Sequence, residues 1–289
     1  MTYYTEVKLF RIIGTMQTGP YIAERLMPQT IAAYCQEMGI DFQAFSDEWV
    51  LRLGKNAICR WVVGYRFDLN QSAASELAQD KVASYAALTA SDIVAVPHYL
   101  VRSLPHELIH VANLHSLLDG QSVVVKPLDG TGGRAVERFE TLSQALQMIR
   151  GVDEPAWAVS PYYDLRAEYR LIMLDNEALL IYEKTQPTYR GNLKLFNLGH
   201  GAIAKEVADD ILRTQLITIA QRVMRAMSLR LAAVDIVRMA DGALWVMEVN
   251  DGICMEHYAR QSVPCKERAA GIYEAIIGAM FTDSDVPSS

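Results

Sequence analysis

Two stretches of this sequence carry residue types and spacings suited to chemistry. In VVVKPLDGTGGRAV, 123–136, a run of strand-formers delivers Lys126 and Pro127, followed by Asp129, Gly130, Thr131, Gly132 and Gly133. The glycines free the backbone for positive φ and for close approach of successive N–H groups to an anion. Lys126 would add a point charge for the same phosphate. Taken alone, the loop reads equally well as a tight hairpin with a solvated lysine. It has neither the GK[ST] of a Walker A loop nor GxGxxG. The second stretch is LAAVDIVR followed by LWVMEVN, two strands expected at 231–238 and 243–249 around Asp241-Gly242. Glu248 and Asn250 are two apart and share a strand face, which Asp235 reaches from the neighbouring strand. Two carboxylates and an amide oxygen are hard ligands that suit Mg²⁺, which completes its shell with water and phosphate. Either strand by itself is also an ordinary polar strand end. Acidic residues flanked by Val, Ile and Met are costly to bury uncompensated, and a cation would remove that cost.

The elements that must position these groups follow from periodicity and punctuation. A strand is expected at 7–14 and a helix over 21–38, with apolar spacing at Ile22, Leu26, Ile31, Tyr34, Cys35 and Met38. Pro28 should kink or restart that helix, and Gly39 stops it. With short strands at 41–46 and 57–63, this gives a βαβ-like N-terminal unit. Residues 71–90 read as a helix, VAVPHYLV as a short strand interrupted by Pro97, and 104–118 as another helix. Thr141 and Gln144 form a capping box ahead of a face made of Leu142, Ala145, Leu146 and Ile149. Strands follow at 156–162, then 168–175 and 178–185 as a hairpin around Asp175-Asn176. An Asn-, Gly- and Lys-rich loop covers 188–201, an amphipathic helix 209–228, and a last helix about 266–281. The expected organisation is a small N-terminal α/β domain on the substrate side (1–72), two α+β subdomains (73–158 and 159–281), and a disordered tail (282–289).

Bulk properties exclude several functions. The 289 residues are 51% hydrophobic and 21% charged, an ordinary globular composition. A net charge of −7 without a basic block argues against nucleic acid as a partner. Cys35, Cys59, Cys254 and Cys265 form no CxxC pair, so neither a zinc site nor a disulfide framework is expected. No apolar run reaches membrane-spanning length and no signal pattern opens the chain, so a cytoplasmic location and no membrane partner are expected.

KPLDGTGG, AAVDIVR and MEVN occur in the order and at about the separations found in ATP-grasp enzymes. The sequence most resembles the branch with bacterial glutathione synthetase, RimK-type glutamate ligases and cyanophycin synthetase. AQDKVASYAAL with VAVP, AEYRLIMLDNEALLIYEK and FNLGHGA resemble further family segments, so the likeness covers about 73–281. It implies an ATP-grasp fold with Lys81 and Lys126 on the ATP phosphates and the 129–133 backbone as a lid. Ser160, Pro161, Tyr162 and Tyr163 would form the hinge that reads adenine. Asp235, Glu248 and Asn250 would hold Mg²⁺, as two ions bridged by Glu248. Arg170 would face the transferred phosphoryl group or the acyl substrate, and Asn197 the metal or γ-phosphate. Glu256 and His257 fall where cyanophycin-type enzymes carry a histidine-bearing segment, and would line the amine-acceptor site or start a helix.

The resemblance thus implies an ATP- and Mg²⁺-dependent ligase joining a small-molecule carboxylate to an amine through an acylphosphate. Such chemistry needs positioning and charge neutralisation, with no side-chain nucleophile. A phosphotransferase on the same fold and a nucleotide-binding regulatory subunit without turnover are the alternatives. Relatives that form dimers or tetramers leave a homo-oligomer open.

Overall fold

The computed structural model describes residues 22, 24–104, 107–110, 112–128, 135–152 and 154–282. The expected strand at 7–14, the lid residues Asp129, Gly130, Thr131, Gly132 and Gly133, and nearly all of the expected tail lie outside the described residues.

Two five-stranded antiparallel sheets dominate. The first comprises β5 (Tyr99–Ser103), β6 (Leu108–His110), β7 (Val123–Pro127), β8 (Glu137–Phe139) and β9 (Ala156–Pro161), in the order β6-β5-β9-β7-β8. Helix α5 (Leu142–Arg150) covers it, and the expected capping box forms at Thr141 and Gln144. The second comprises β10 (Ala167–Leu174), β11 (Glu177–Thr185), β14 (Ile203–Glu206), β15 (Leu231–Arg238) and β16 (Leu244–Asn250), in the order β14-β11-β10-β15-β16. A small hairpin of β12 (Thr188–Arg190) and β13 (Leu193–Leu195) stands apart.

Alternation along the second sheet sorts its side chains into two cores. Leu171, Met173, Ile181, Ala232, Val234 and Ile236 point to one face, against α2 (Ser72–Gln79), α3 (Lys81–Ala90) and α6 (Asp210–Ala226). Ile172, Leu174, Leu180, Tyr182, Leu231 and Ala233 point to the other. The helix expected over 71–90 is two helices, because the Asp80 side chain accepts from Val82 N and Ala83 N and restarts the chain. Both helices pack on the second sheet. Pro97 divides VAVPHYLV between the sheets. Val96 N donates to Val246 O (2.8 Å) on β16, while the residues from Tyr99 onward form β5. The helix expected over 104–118 is corrected to β6 and a short α4 (Leu114–Leu117), since β5 offers an edge that pairs Leu108–His110.

The N-terminal unit is described from its helix onward. After α1 (Leu26–Met38), strands β1 (Asp41–Phe45), β2 (Val50–Lys55), β3 (Ile58–Val63) and β4 (Arg66–Phe67) form an antiparallel meander. The described part is a helix and a meander; the first strand of the expected βαβ-like unit lies outside the described residues, and β2 is a strand the sequence did not signal. Met27, Ile31, Leu51, Leu53 and Val62 pack with Ile272, Tyr273 and Ile276 of α8 (Val263–Met280) and with the second sheet.

This unit is fastened to the segment after β16. Ile253 N donates to Tyr65 O (2.8 Å), and Arg66 pairs with Asp251 (3.2 Å). Glu256, 1% exposed at the start of α7 (Glu256–Ala259), accepts from Leu26 N (2.8 Å) and Met27 N (3.1 Å). A carboxylate from across the fold thus caps the N-terminus of α1. Glu256→Ala is expected to cost about 2 kcal/mol of stability, read as a lower urea midpoint with an unchanged slope.

Candidate functional site

The site grows from one row of side chains across the second sheet. Tyr182, Arg170, Asp235 and Glu248 are successive cross-strand partners on β11, β10, β15 and β16. Residues directly opposite share a face, so the row projects on one side. Glu168 and Lys184 lie two residues further along and join it. Two irregularities make this possible, one between Ile172 and Met173, the other between Asp235 and Ile236 opposite Met247. Bulges of this kind re-aim side chains beside functional sites.

Asp235 is the hub. It is 3% exposed and accepts from Arg170 Nε (2.8 Å) and Nη2 (2.6 Å), while Lys184 Nζ lies 3.1 Å from Oδ1. Lys184 also bonds Glu168. Burial works against the Asp235 anion, but Arg170 and Lys184 outweigh it and lower its pKa to about 2. Burial likewise opposes the charges of Arg170 and Lys184, yet Asp235 holds both pKa values above their ordinary range. The expected magnesium residues Asp235 and Glu248 are cross-strand partners, and Asn250 lies two residues along β16 from Glu248; both Asp235 oxygens are engaged by cations. Among the described residues, no three His, Cys, Asp or Glu side chains converge as a metal cage.

The first sheet supplies the opposing cation. Lys126, on β7, is 9% exposed, and no hydrogen bond or ion pair with another described residue reaches its ammonium. Burial, with Lys81 nearby, lowers its pKa; Glu248, then Glu168 and Asp235, act in the opposite direction. Lys81, the first residue of α3, bridges the sheets. Its Nζ donates to Leu128 O (3.3 Å) and lies 3.7 Å from Glu248 Oε1. A cleft lined by Lys81, Ser84, Tyr85, His98, Met247 and Glu248 opens beside it. The assembly holds four cations (Lys81, Lys126, Arg170, Lys184) and three carboxylates (Glu168, Asp235, Glu248). Such a balance favours an added anion, and Lys126 is the cation most in need of one.

Among the described residues, none of the remaining expected ones lines this cleft. Ser160 is buried opposite Val124, Pro161 opposite Val123, and Tyr162 N donates to Ser122 O (2.8 Å). Arg138 sits 3.8 Å over the Tyr162 ring, and Tyr163 meets Trp245 edge-on at 5.5 Å. These contacts fix the strand exit where a base would lie. Asn197 begins a turn in which its carbonyl accepts from His200 N (2.9 Å). A Cβ on Gly199 would come within 2.9 Å of His257 Nε2, so this turn and His257 approach as closely as a glycine allows. His257 is exposed, and burial of part of its ring with Arg260 and His200 nearby lowers its pKa. Glu256 is engaged by α1, where it holds a capping position. Lys184 and Glu168 were missed from sequence. Their alternation with Tyr182 and Arg170 was visible, but the bulge that aligns the two strands was not.

A family model described as an ATP-grasp domain, family 3 of its clade, matches residues 75–272. Among solved structures, the fold is similar to D-alanine–D-alanine ligase from Bacillus anthracis, 19% identical, with 73% of this chain and 68% of that chain covered at a TM-score of 0.56. The ATP complex of that ligase is 20% identical, covers 73% and 67%, and has a TM-score of 0.54. D-cycloserine synthetase DcsG is 22% identical, covers 70% and 71%, and has a TM-score of 0.51. No curated protein matches the sequence.

Proposed function

Because this chain belongs to the ATP-grasp domains, within family 3 of its clade, we propose that it is an ATP- and Mg²⁺-dependent carboxylate–amine ligase releasing ADP and phosphate. The observation that carries this reading is Lys126, a buried ammonium without a partner among the described residues, facing Glu248 between the two sheets. Lys126 and Lys81 would hold the phosphates, and Glu248 with Asn250 the magnesium. Bound there, the metal would supply charge neutralisation for phosphoryl transfer.

A carboxylate oxygen is a poor leaving group, and phosphorylation makes it a good one. The carboxylate's own charge opposes its approach to a triphosphate, so a cation must stand beside it. Arg170 provides that charge. Its Nε and Nη2 are engaged by Asp235, which fixes the guanidinium plane and leaves Nη1 as the remaining donor arm. The same arm would stabilise the oxyanion formed when the amine attacks the acylphosphate. Lys184 and Glu168 keep Asp235, and through it Arg170, in one orientation. The substrates are proposed to be small amino acids, peptides or natural-product precursors, the carboxylate phosphorylated before the amine arrives. Ser160, Pro161, Tyr162 and Tyr163 would border the base, and Asn197 and His257 the side from which the amine enters. On the same reading, residues 1–72 work as a substrate-side unit and residues 73–158 and 159–281 as the two clasping halves.

Hydroxylamine intercepts acylphosphates as hydroxamates. With ATP, Mg²⁺ and a pool of amino acids, the protein is expected to release ADP and accumulate hydroxamate. ADP with a phosphorylated product and no hydroxamate would instead identify a phosphotransferase. Glu248→Gln is expected to lower turnover by about 10²–10³-fold with an unchanged melting temperature. Wild-type turnover in that variant would remove Glu248 from the metal site.

A further inference from the structure

A second set of unsatisfied donors lies outside the phosphate cleft, where the N-terminal meander meets the segment after β16. Arg25 is 7% exposed, and its Nη1 is buried without a hydrogen-bond partner among the described residues. Its Nη2 donates to Asp47 O (2.9 Å), and the guanidinium stands 5.5 Å from the centre of the Trp49 ring. No carboxylate among the described residues pairs with it. Trp49 in turn meets Tyr65 edge-on at 6.3 Å, and the Tyr65 hydroxyl is also buried, with no oxygen among the described residues to accept its proton. Gly64, at φ 63°, lets Trp49 lie against the backbone beside Tyr65, since a Cβ there would stand 2.7 Å from the ring. A buried guanidinium arm and a buried phenol, neither with an oxygen acceptor, are costly to leave so.

Their surroundings point toward the reacting centre. Burial raises the Tyr65 pKa first, and Cys254 and Glu256 lie close enough to raise it further. The Cys254 thiol lies beside that hydroxyl, and sulfur is a weak acceptor. Cys254 in turn feels the charge of Arg170. The segment carrying Cys254 follows Asn250 closely and is tied to Tyr65 through the Ile253 amide. The ligand these donors require is thus an acceptor with a single negative charge. A dianion would be opposed by the nearby Glu256, whereas a carboxylate matches one guanidinium arm and one hydroxyl.

We propose that Arg25 and Tyr65 bind the unreacted carboxylate of an amino-acid or short-peptide substrate, holding it between the N-terminal meander and the segment that follows Asn250. This inference rests on the ligase reading and assigns a substrate class to it. The meander then selects substrates by their free carboxylate, and Trp49 orients both donors.

Saturation-transfer NMR on the full chain with AMP-PNP and Mg²⁺ tests this, using the proteinogenic amino acids and their alanyl dipeptides as probes, and their carboxamides as controls. At least one free acid is expected to show transfer and its carboxamide none. Tyr65→Phe and Arg25→Met are each expected to weaken that binding about tenfold or more, with transfer to AMP-PNP unchanged. Tyr65→Phe keeps the ring and so keeps the test valid where Arg25→Met disturbs folding. No transfer to any free acid, equal transfer to a carboxamide, or wild-type binding by Tyr65→Phe overturns the proposal. ADP release in the same mixtures separates the two readings. Transfer lost in the variants without any ADP formation leaves the carboxylate site standing and removes the ligase. ADP formation with wild-type KM values in both variants does the reverse.

Discussion

Lys126→Met is expected to abolish turnover, by roughly 10³-fold, while the melting temperature stays the same or rises. The two halves of this result have one cause. The ammonium is buried at the end of β7, burial lowers its pKa, and no described residue pairs with it. In the free protein it is therefore a liability that a methionine of similar volume removes. With a nucleotide bound, the same charge would neutralise phosphate oxygens in a site shielded from water, where a methionine offers nothing. Calorimetry and an ADP-release assay on one preparation read both halves. A variant that melts well below the wild type shows that Lys126 has a structural partner, and one that keeps turnover places the phosphates elsewhere.

Asp235→Asn carries the second large effect, in the opposite sense. The substitution removes the anion that Arg170 and Lys184 share and leaves two buried cations side by side. Breaking a buried pair in this way costs about 3–5 kcal/mol, measured as a lower urea midpoint at neutral pH. The pH dependence follows from the direction of the shift. Asp235 has a folded-state pKa of about 2, against 3.8 for the unperturbed group. Its contribution is therefore complete above the unfolded value and is lost as pH falls from about 4 towards 2. The Asn variant lacks this part of the acid sensitivity, so the two proteins should converge in stability over that window. Adding Arg170→Met to Asp235→Asn should recover part of the loss, because it withdraws one of the stranded charges.

The central strands β7, β9, β10, β11, β15 and β16 and most helices could be read from periodicity, and several local details with them. The Thr141 capping box, the Asp175-Asn176 turn with both residues at positive φ, and the stripe on α6 all appear. Strands β2, β6, β8, β14 and the β12–β13 hairpin inside the expected 188–201 loop could not be read, and neither could strand register. A two-residue turn at Asp175-Asn176 pairs Leu174 with Glu177, and an unbroken ladder from there would set Arg170 opposite Ile181, on the face covered by α6. The irregularity at Ile172/Met173 shifts the pairing by one residue and brings Arg170 opposite Tyr182. Met247 does the same for Glu248 and Asp235. Bulges arise from twist and packing over the whole sheet, so a window of local sequence does not show them. That is why Asp235, Glu248 and Arg170 were identified by type and resemblance while Lys184 and Glu168 were not. The segment 104–118 shows the same limit in another form, where an available edge on β5 overrides helical spacing.

The join between α1 and α7 bears on how this chain is made. Glu256 contacts Leu26 and Met27 across 230 and 229 positions, and the apolar face of α1 packs on α8, the last described element. During synthesis the meander emerges before both sheets, and the α7 and α8 surfaces that cover it emerge after them. Met27, Ile31, Leu51 and Leu53, all fully buried in the finished protein, remain uncovered until α8 is made. The first and second sheets can form in order behind them, since their contacts are closer in sequence. Closing a long loop is the slow step in such a topology, and exposed apolar surface waiting for it is prone to aggregate or to recruit a chaperone. Truncation after β16 should therefore leave the N-terminal unit, and not the sheets, as the sticky part of the molecule.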